Sequence, residues 1–377
     1  MMWTPSLTHM EDNEEKLIFK GAFFELAPLT IPLCALVLAQ NIVIFVEYYK
    51  DRSKFVASMF MGIAGADILK AQGEMVLAGL SLLVYTGHLD IMVLYNGLFY
   101  YMVTALPGVN CSKVFNLALS ICLTMTVVNP FRRLNNQLLR KTVASICLII
   151  TLLHILDTVA AVFVHLTVLN GNKSYLDSMA YLFLMISFDV PGAIAIGTLV
   201  CMPDDQGTSK CLVGDEHAMT HHQMSGIIAS FGALYYMVPP FIVLICMVIQ
   251  IRHLKKSLGE REAECPLPDT SRHVSITIFL VSTLFFVCHA TFLIATVIWF
   301  ALHRNIMKHD LKKRVFLDWG VMLGFVKFSL PLLYSMVYPI ILISRKRELR
   351  ERFLSYLRRA TTCCTRRNHP DIGTDQQ

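Results

Sequence analysis

Four ionisable residues sit where the surrounding sequence is apolar: Asp67, Lys70 and Glu74 in the stretch 55–83, and Lys113 in 97–128. The first three are spaced i, i+3 and i+7, so a helix carries them on one face. A lone carboxylate in an apolar interior costs several kcal/mol unless it is partnered. An ammonium group one turn away supplies a partner, and an internal Asp67–lysine ion pair is therefore expected. His289 stands alone in the apolar stretch 273–302, where it is a pH-sensitive switch, a hydrogen-bonder to a ligand or a satisfied core residue. The chemistry open to such a set is ion pairing, a polar path for an ion, or recognition of a charged ligand. Enzymatic chemistry has no carrier, because no serine–histidine pair at catalytic spacing and no intramembrane histidine cluster is present. The 11 cysteines show no CxxC or metal-ligand spacing, so neither a metal nor a cofactor is expected.

The elements that hold these residues are long and apolar. The chain has 377 residues, 55% hydrophobic and 16% charged, against roughly 25% charged in a soluble domain. A net charge of +6 is too mild and dispersed for nucleic-acid binding. Apolar stretches run over 22–48, 55–83, 97–128, 142–166, 178–201, 225–251, 273–302 and 315–344, and about 20 such residues span a bilayer core. No cleaved signal peptide is read at the start, and the first span serves as its own insertion signal. The stretch 178–201 holds Asp189, Pro191, Gly192 and Gly197, residues that a lipid-exposed helix tolerates badly. If it does not cross, lysine and arginine concentrate on the side of 50–54, 129–141, 252–272 and the tail 345–377, as the positive-inside rule requires. If it crosses, that bias is lost. The expectation is seven crossings: an extracellular N-terminus over 1–21, a seven-transmembrane domain over 22–344 with an apolar extracellular insert at 178–201, and a cytoplasmic 345–377.

Within these spans, Ile63-Ala64-Gly65-Ala66-Asp67 resembles the Leu-Ala-x-Ala-Asp motif of rhodopsin-like (class A) G-protein-coupled receptors. Gln40-Asn41-Ile42-Val43-Ile44 resembles their Gly-Asn-x-x-Val. The third span ends Ala118-Leu119-Ser120-Ile121-Cys122-Leu123-Thr124, similar to Ala-Ile-Ser-x-Asp-Arg-Tyr, with Pro130 at the family's later proline. Phe285-Phe286-Val287-Cys288-His289-Ala290-Thr291 stands against Phe-x-x-Cys-Trp-x-Pro, and Ser335-Met336-Val337-Tyr338-Pro339-Ile340-Ile341-Leu342 against Ser-x-x-Asn-Pro-x-x-Tyr. Each match is weak alone; together they keep the family's order and spacing over 22–364. The resemblance implies an all-α membrane protein, a seven-transmembrane helix bundle with a short amphipathic eighth helix at 345–359. It also implies a conserved core and switch at Asn41, Asp67, Ser112, Phe285, Cys288, His289, Ser335, Tyr338 and Pro339.

The departures bear on coupling. Cys122, Leu123 and Thr124 fill the Asp-Arg-Tyr slots, so the arginine that such receptors use at the G-protein face is absent. The toggle tryptophan is His289 and its following proline is Thr291. Leu98 replaces the usual cysteine at the outer end of the third span, leaving Cys201 and Cys211 to pair with each other. The sodium site that the family builds around Asp67, with hydroxyls at Ser112 and Ser335, meets tyrosines at 334 and 338 and two intruding lysines.

By the same resemblance, Ala105 stands where amine receptors place a carboxylate and Leu332 where opsins place the retinal lysine, which disfavours both ligand classes. The expected ligand wall is Tyr235, Tyr236, His289, Phe292 and Phe328. Lys327 and the basic loop 303–314 suit an extracellular small-molecule or lipid-like anion. Asn172 lies in a glycosylation sequon, and Cys363-Cys364, among arginines, suit palmitoylation. The function expected is a multi-pass plasma-membrane receptor with a heterotrimeric G protein as a candidate partner. The alternatives are a non-signalling scavenger or partner subunit, or a transporter or channel using Asp67, Lys70, Glu74 and Asp157.

Overall fold

The computed structural model describes residues 27–89, 91–128, 136–170, 201–203, 209–211, 238–252, 276–291, 329–345, 347, 349–351 and 354–355. Helix α1 spans Ala27–Lys50, α2 Phe55–Tyr85, α3 Ile91–Val128 and α4 Asn136–Asn170. Two three-residue strands follow, β1 (Cys201–Pro203) and β2 (Ser209–Cys211), paired antiparallel with Cys201 opposite Cys211. Shorter apolar helices complete the set: α5 (Val238–Arg252), α6 (Ile276–Thr291) and α7 (Ser329–Arg345).

Three helical segments among the described residues are long and apolar enough to cross a membrane: Ala27–Lys50, Asn96–Thr126 and Gln137–Val162. With a rise of 1.5 Å per residue, the 24 residues of α1 exceed a hydrocarbon core of about 30 Å. Helix α3 begins earlier than the apolar stretch at 97, with Ile91-Met92-Val93-Leu94, and α4 begins earlier than 142, continuing into polar sequence such as Asn136, Gln137, Arg140 and Lys141. The stretch 178–201 lies outside the described residues except for Cys201.

Burial is inverted relative to a water-soluble helix. Helix α4 exposes Leu148 (61%), Leu152, Leu156 and Val159 while burying His154 and Asp157 (2%). Helix α1 exposes Leu29, Leu36, Ile42 and Val46 and buries Gln40 and Asn41. An apolar outer face over a polar inner one suits a hydrocarbon surround. One buried core draws on Ile44 of α1, Ile63 of α2, Leu119 of α3, Val143 of α4, Val243 of α5, Phe285 of α6 and Tyr338 of α7.

Helices α2 and α3 meet backbone to backbone. A Cβ on Gly108 would lie 2.5 Å from Ala66 O and 2.8 Å from Lys70 N, and one on Gly73 would lie 2.9 Å from Ala105 N. Glycine is required at both positions by this approach, which sets the depth at which Asp67 and Lys70 face α3. Beyond Arg345, residues 347, 349–351 and 354–355 are also helical. Leu349 is buried there, while Arg347 and Glu351 are exposed and paired at 2.8 Å. That carboxylate raises the pKa of the Arg347 guanidinium, by hydrogen bond and by charge.

Candidate functional site

Two buried polar regions flank the α2–α3 seam. The first joins α1, α2, α3 and α7. Asn41 Nδ2 donates to Val37 O at 2.9 Å and to Ser335 O at 3.1 Å, tying α1 to α7. Lys70 Nζ donates to Ser335 Oγ at 2.9 Å, and that hydroxyl donates to Pro331 O at 2.9 Å. Asp67 is 1% exposed, yet its Oδ2 has no hydrogen-bond partner, and the same holds for Ser112 Oγ and Asn41 Oδ1. Glu74, also buried, accepts from the Cys34 thiol at 3.8 Å.

The expected Asp67–lysine ion pair is not made among the described residues. The four-carbon stem of Lys70 carries its ammonium group across to α7, where Ser335 Oγ receives it, and Lys113 Nζ donates to Asn110 Oδ1 at 3.0 Å. The oxygens of Asp67, Ser112 and Ser335 are the donor set that the family resemblance would give to sodium. They do not fit that ion here: the ammonium bonded to Ser335 takes one hydroxyl and repels a second cation. No group of three or more His, Cys, Asp or Glu residues that could hold a metal occurs among the described residues.

Toward α6 the site becomes aromatic. Phe285 and His289 stack with centroids 4.0 Å apart, and Tyr334 meets both rings edge-on at 5.8 and 6.1 Å. Tyr334 stacks in turn on Tyr338 at 5.7 Å. Their hydroxyls leave the stack for other helices: Tyr334 donates to Asn116 Oδ1 at 2.6 Å and Tyr338 to Phe60 O at 3.5 Å. His289 Nδ1 donates to Phe285 O at 3.0 Å, so its ring is held within its own helix. Cys288 and Pro339 are buried beside this stack. A change in the tilt of α6 thus reaches α7 through ring contacts, and reaches α2 and α3 through two tyrosine hydroxyls.

The second region joins α3 to α4. Lys113 Nζ donates to Asn110 Oδ1, Asn110 Nδ2 lies 2.9 Å from His154 Nε2, and His154 Nδ1 lies 3.6 Å from Asp157 Oδ2. With the Asn110 oxygen committed to lysine, its amide NH2 faces the histidine, whose Nε2 accepts. The Nδ1 side of His154 lies next to the carboxylate, beyond hydrogen-bond distance. The chain of contacts runs in one direction from an ammonium to a carboxylate, and all four side chains are buried.

The three residues at the inner end of α3, Cys122, Leu123 and Thr124, differ in burial and bonding. Leu123 is buried, Cys122 is half-buried, and buried Thr124 bonds back to Ser120 O at 2.8 Å. Gln250 Nε2 of α5 donates to Thr124 Oγ1 at 2.9 Å and to Ser120 O at 3.3 Å, and Ser120 Oγ meets Ser282 Oγ of α6 at 2.7 Å. Uncharged hydrogen bonds thus join α3 to α5 and α6.

The structure brings together Asn41, Asp67, Ser112, Phe285, His289, Ser335 and Tyr338. Cys201 and Cys211 are opposite each other in the strand ladder. Tyr235, Tyr236, Phe292, Lys327, Phe328, Asn172, Cys363 and Cys364 lie outside the described residues. Sequence reasoning missed Asn110, His154, Gln250 and Ser282. The i, i+3 spacing of His154 and Asp157 in an apolar stretch was the available signal for the α4 pair. No family model matches the chain, and no curated protein matches it.

Proposed function

We propose that the chain is a divergent rhodopsin-like receptor: seven transmembrane helices and a short amphipathic eighth, multi-pass in the plasma membrane. It binds an extracellular small-molecule or lipid-like anion and signals through a heterotrimeric G protein. The observation that carries this reading is the meeting of α1, α2 and α7 at one residue, where Asn41 binds Ser335 O and Lys70 binds Ser335 Oγ. The motif residues that suggested the family from sequence alone also share one buried site. The stacked Phe285, His289, Tyr334 and Tyr338 give ligand-driven motion of α6 a route to α7. Lys327, the basic loop 303–314 and the aromatic residues Tyr235, Phe292 and Phe328 favour an amphipathic anion as ligand.

The test is functional expression. Cells carrying sensors for cyclic AMP, calcium and G-protein dissociation are challenged with fatty acids, lysophosphatidic acid and acidified medium. A messenger response lost in Asp67→Asn or Pro339→Ala supports the receptor. Flux or current without any messenger overturns it in favour of a transporter or channel. Glycosylation at Asn172, with a C-terminal epitope reached only after permeabilisation, is the matching result for topology.

A second reading is a scavenger or partner subunit of the same fold. It is favoured by Leu123, an apolar buried residue in the slot of the coupling arginine. Uptake of the same anions with no messenger from any sensor would select it.

A further inference from the structure

Where α1, α2, α3 and α4 come together near Lys50, the structure holds an open cleft of about 770 Å³. Its rim carries Lys50, Arg52, Arg140 and Lys141, and no carboxylate lines it. Its floor is apolar, with Met61 and Phe115. Gly62 makes the floor possible, because a side chain there would collide with the Phe115 ring.

The rim cations differ in how they are held. Lys50 is paired with Glu47 at 3.2 Å, which offsets its charge. Arg140 Nη1 donates to Arg52 O at 2.9 Å and Ser53 O at 3.3 Å, fixing the α1–α2 connection to α4. Arg52 lies over the Tyr49 ring at 4.3 Å. Lys54, nearby but not on the lining, pairs with Asp51 at 3.1 Å. After these pairings the charges of Arg52, Arg140 and Lys141 face the cleft without a carboxylate on its walls. Two of the three are already positioned, so less freedom is lost when an anion arrives.

The cleft also lies at a defined depth. Lys50 ends the apolar segment Ala27–Lys50, and Arg140 and Lys141 fall within one turn of the start of Gln137–Val162. A cationic rim at the end of two spans, above an apolar floor, matches a phosphate group with hydrocarbon attached. A soluble phosphate would use the rim alone and leave Met61 and Phe115 without a counterpart.

We infer that this cleft binds the phosphate-bearing headgroup of an anionic membrane lipid, with the acyl chains lying along the apolar floor and the outer face of α4. The inference rests on the membrane placement of these helices, but not on ligand binding or on signalling. Under the proposed topology the site faces the cytoplasmic leaflet, where anionic lipids are enriched.

The experiment uses the full chain, purified in neutral detergent and titrated with a fluorescent phosphatidylinositol bisphosphate. Phosphatidylcholine serves as the neutral control lipid. The sequence 345–359 is a second stretch rich in arginine, so the variants separate the two. Lys141→Gln and Arg52→Gln are each expected to weaken binding about fivefold, and the double variant about 25-fold. Arg347→Gln with Arg350→Gln should leave the cleft affinity unchanged. A photoreactive acyl chain should label peptides containing Met61 or Phe115. Retained affinity in the double variant, or labelling confined to the tail, overturns the proposal. Displacement by inositol hexakisphosphate or inorganic phosphate as effectively as by unlabelled lipid overturns the lipid source in favour of a soluble anion. None of these readouts requires a messenger response, so a silent receptor with an intact cleft and a signalling receptor without one remain distinguishable.

Discussion

The two buried polar regions on either side of the α2–α3 seam are built on opposite terms. Between α3 and α4, Lys113, Asn110, His154 and Asp157 form a run of contacts that begins on a cation and ends on a carboxylate. Among α1, α2, α3 and α7, Lys70 spends its hydrogen bond on a neutral hydroxyl while Asp67 Oδ2, Ser112 Oγ and Asn41 Oδ1 have no partner. Each unmet buried polar group costs about 1–3 kcal/mol. The α3–α4 region therefore resembles a structural fastening, whereas in the α1–α2–α7 region the hydrogen bonds of Asn41 and Lys70 to Ser335 leave Asp67 Oδ2 outside the network. The difference teaches where motion is affordable in this fold.

Removing one end of the complete chain should do the greatest harm. Asp157→Ala removes the carboxylate beside His154 at the α4 end of the run, and loss of a partner from a buried polar network costs about 1–3 kcal/mol. Thermal unfolding of the purified protein and its yield at the cell surface should both fall steeply. Asp67→Asn removes a buried carboxylate whose Oδ2 already lacks a partner, so it should cost less than about 1 kcal/mol or stabilise. Equal losses from the two variants would erase the contrast between the regions.

The seam between them gives the next effect. The Cβ of Gly108→Ala would press on Ala66 O and Lys70 N, which are backbone atoms of α2 and cannot rotate aside. Overpacking of this kind costs about 1–3 kcal/mol. Because the shift also moves Lys70, the variant should lower the melting temperature and, if the chain signals as proposed, alter its messenger responses. Gly79→Ala on α2, with open space at its Cβ position, is the control and should be neutral in both assays.

The sequence made some of this readable and hid the rest for physical reasons. Apolar runs located α1 to α4, because transfer into hydrocarbon depends on composition. The runs understated α4, whose start continues through polar residues such as Asn136 and Arg140. The face shared by Asp67, Lys70 and Glu74 followed from helical spacing, and all three are buried. The partner of Lys70 did not follow, because spacing within one helix favours Asp67, whereas the choice of Ser335 depends on how closely α7 approaches. The role of Asn110 is equally hidden in sequence, because its contacts to Lys113 and His154 depend on how α4 packs on α3. The cleft near Lys50 was invisible in sequence for a similar reason: Arg52 and Arg140 are 88 positions apart and meet only through packing.

A smaller effect asks whether the open region is the one that moves. The Ser120–Ser282 hydrogen bond is a neutral link between α3 and α6, below the aromatic stack that leads to Tyr334 and Tyr338. A neutral hydrogen bond contributes about 0.5–1.5 kcal/mol net. If the chain signals as proposed, Ser282→Ala should therefore raise basal G-protein dissociation a few-fold with little change in melting temperature. An unchanged basal signal with lowered stability would mean that α6 is fastened to α3 for structure alone.

The smallest effect concerns ions in the α1–α2–α7 region. While the ammonium of Lys70 is bonded to Ser335 Oγ, a sodium ion near Asp67 would meet a like charge at short range, and their repulsion outweighs what the free oxygens offer. Exchanging sodium for choline should therefore leave the melting temperature of the unmodified protein unchanged. Lys70→Gln removes the cation and keeps a donor for Ser335. The oxygens of Asp67 and Ser112 then become available to a hard cation, which binds through such ligands. Binding of this kind stabilises by about 0.4 kcal/mol when sodium equals its dissociation constant, and by more as sodium rises. Melting curves of K70Q in sodium, lithium and choline chloride should separate, and adding Asp67→Asn should collapse them again. Sodium dependence in the unmodified protein would show instead that Lys70 leaves Ser335 readily, and the contrast with the α3–α4 chain would then be one of mobility more than of missing partners.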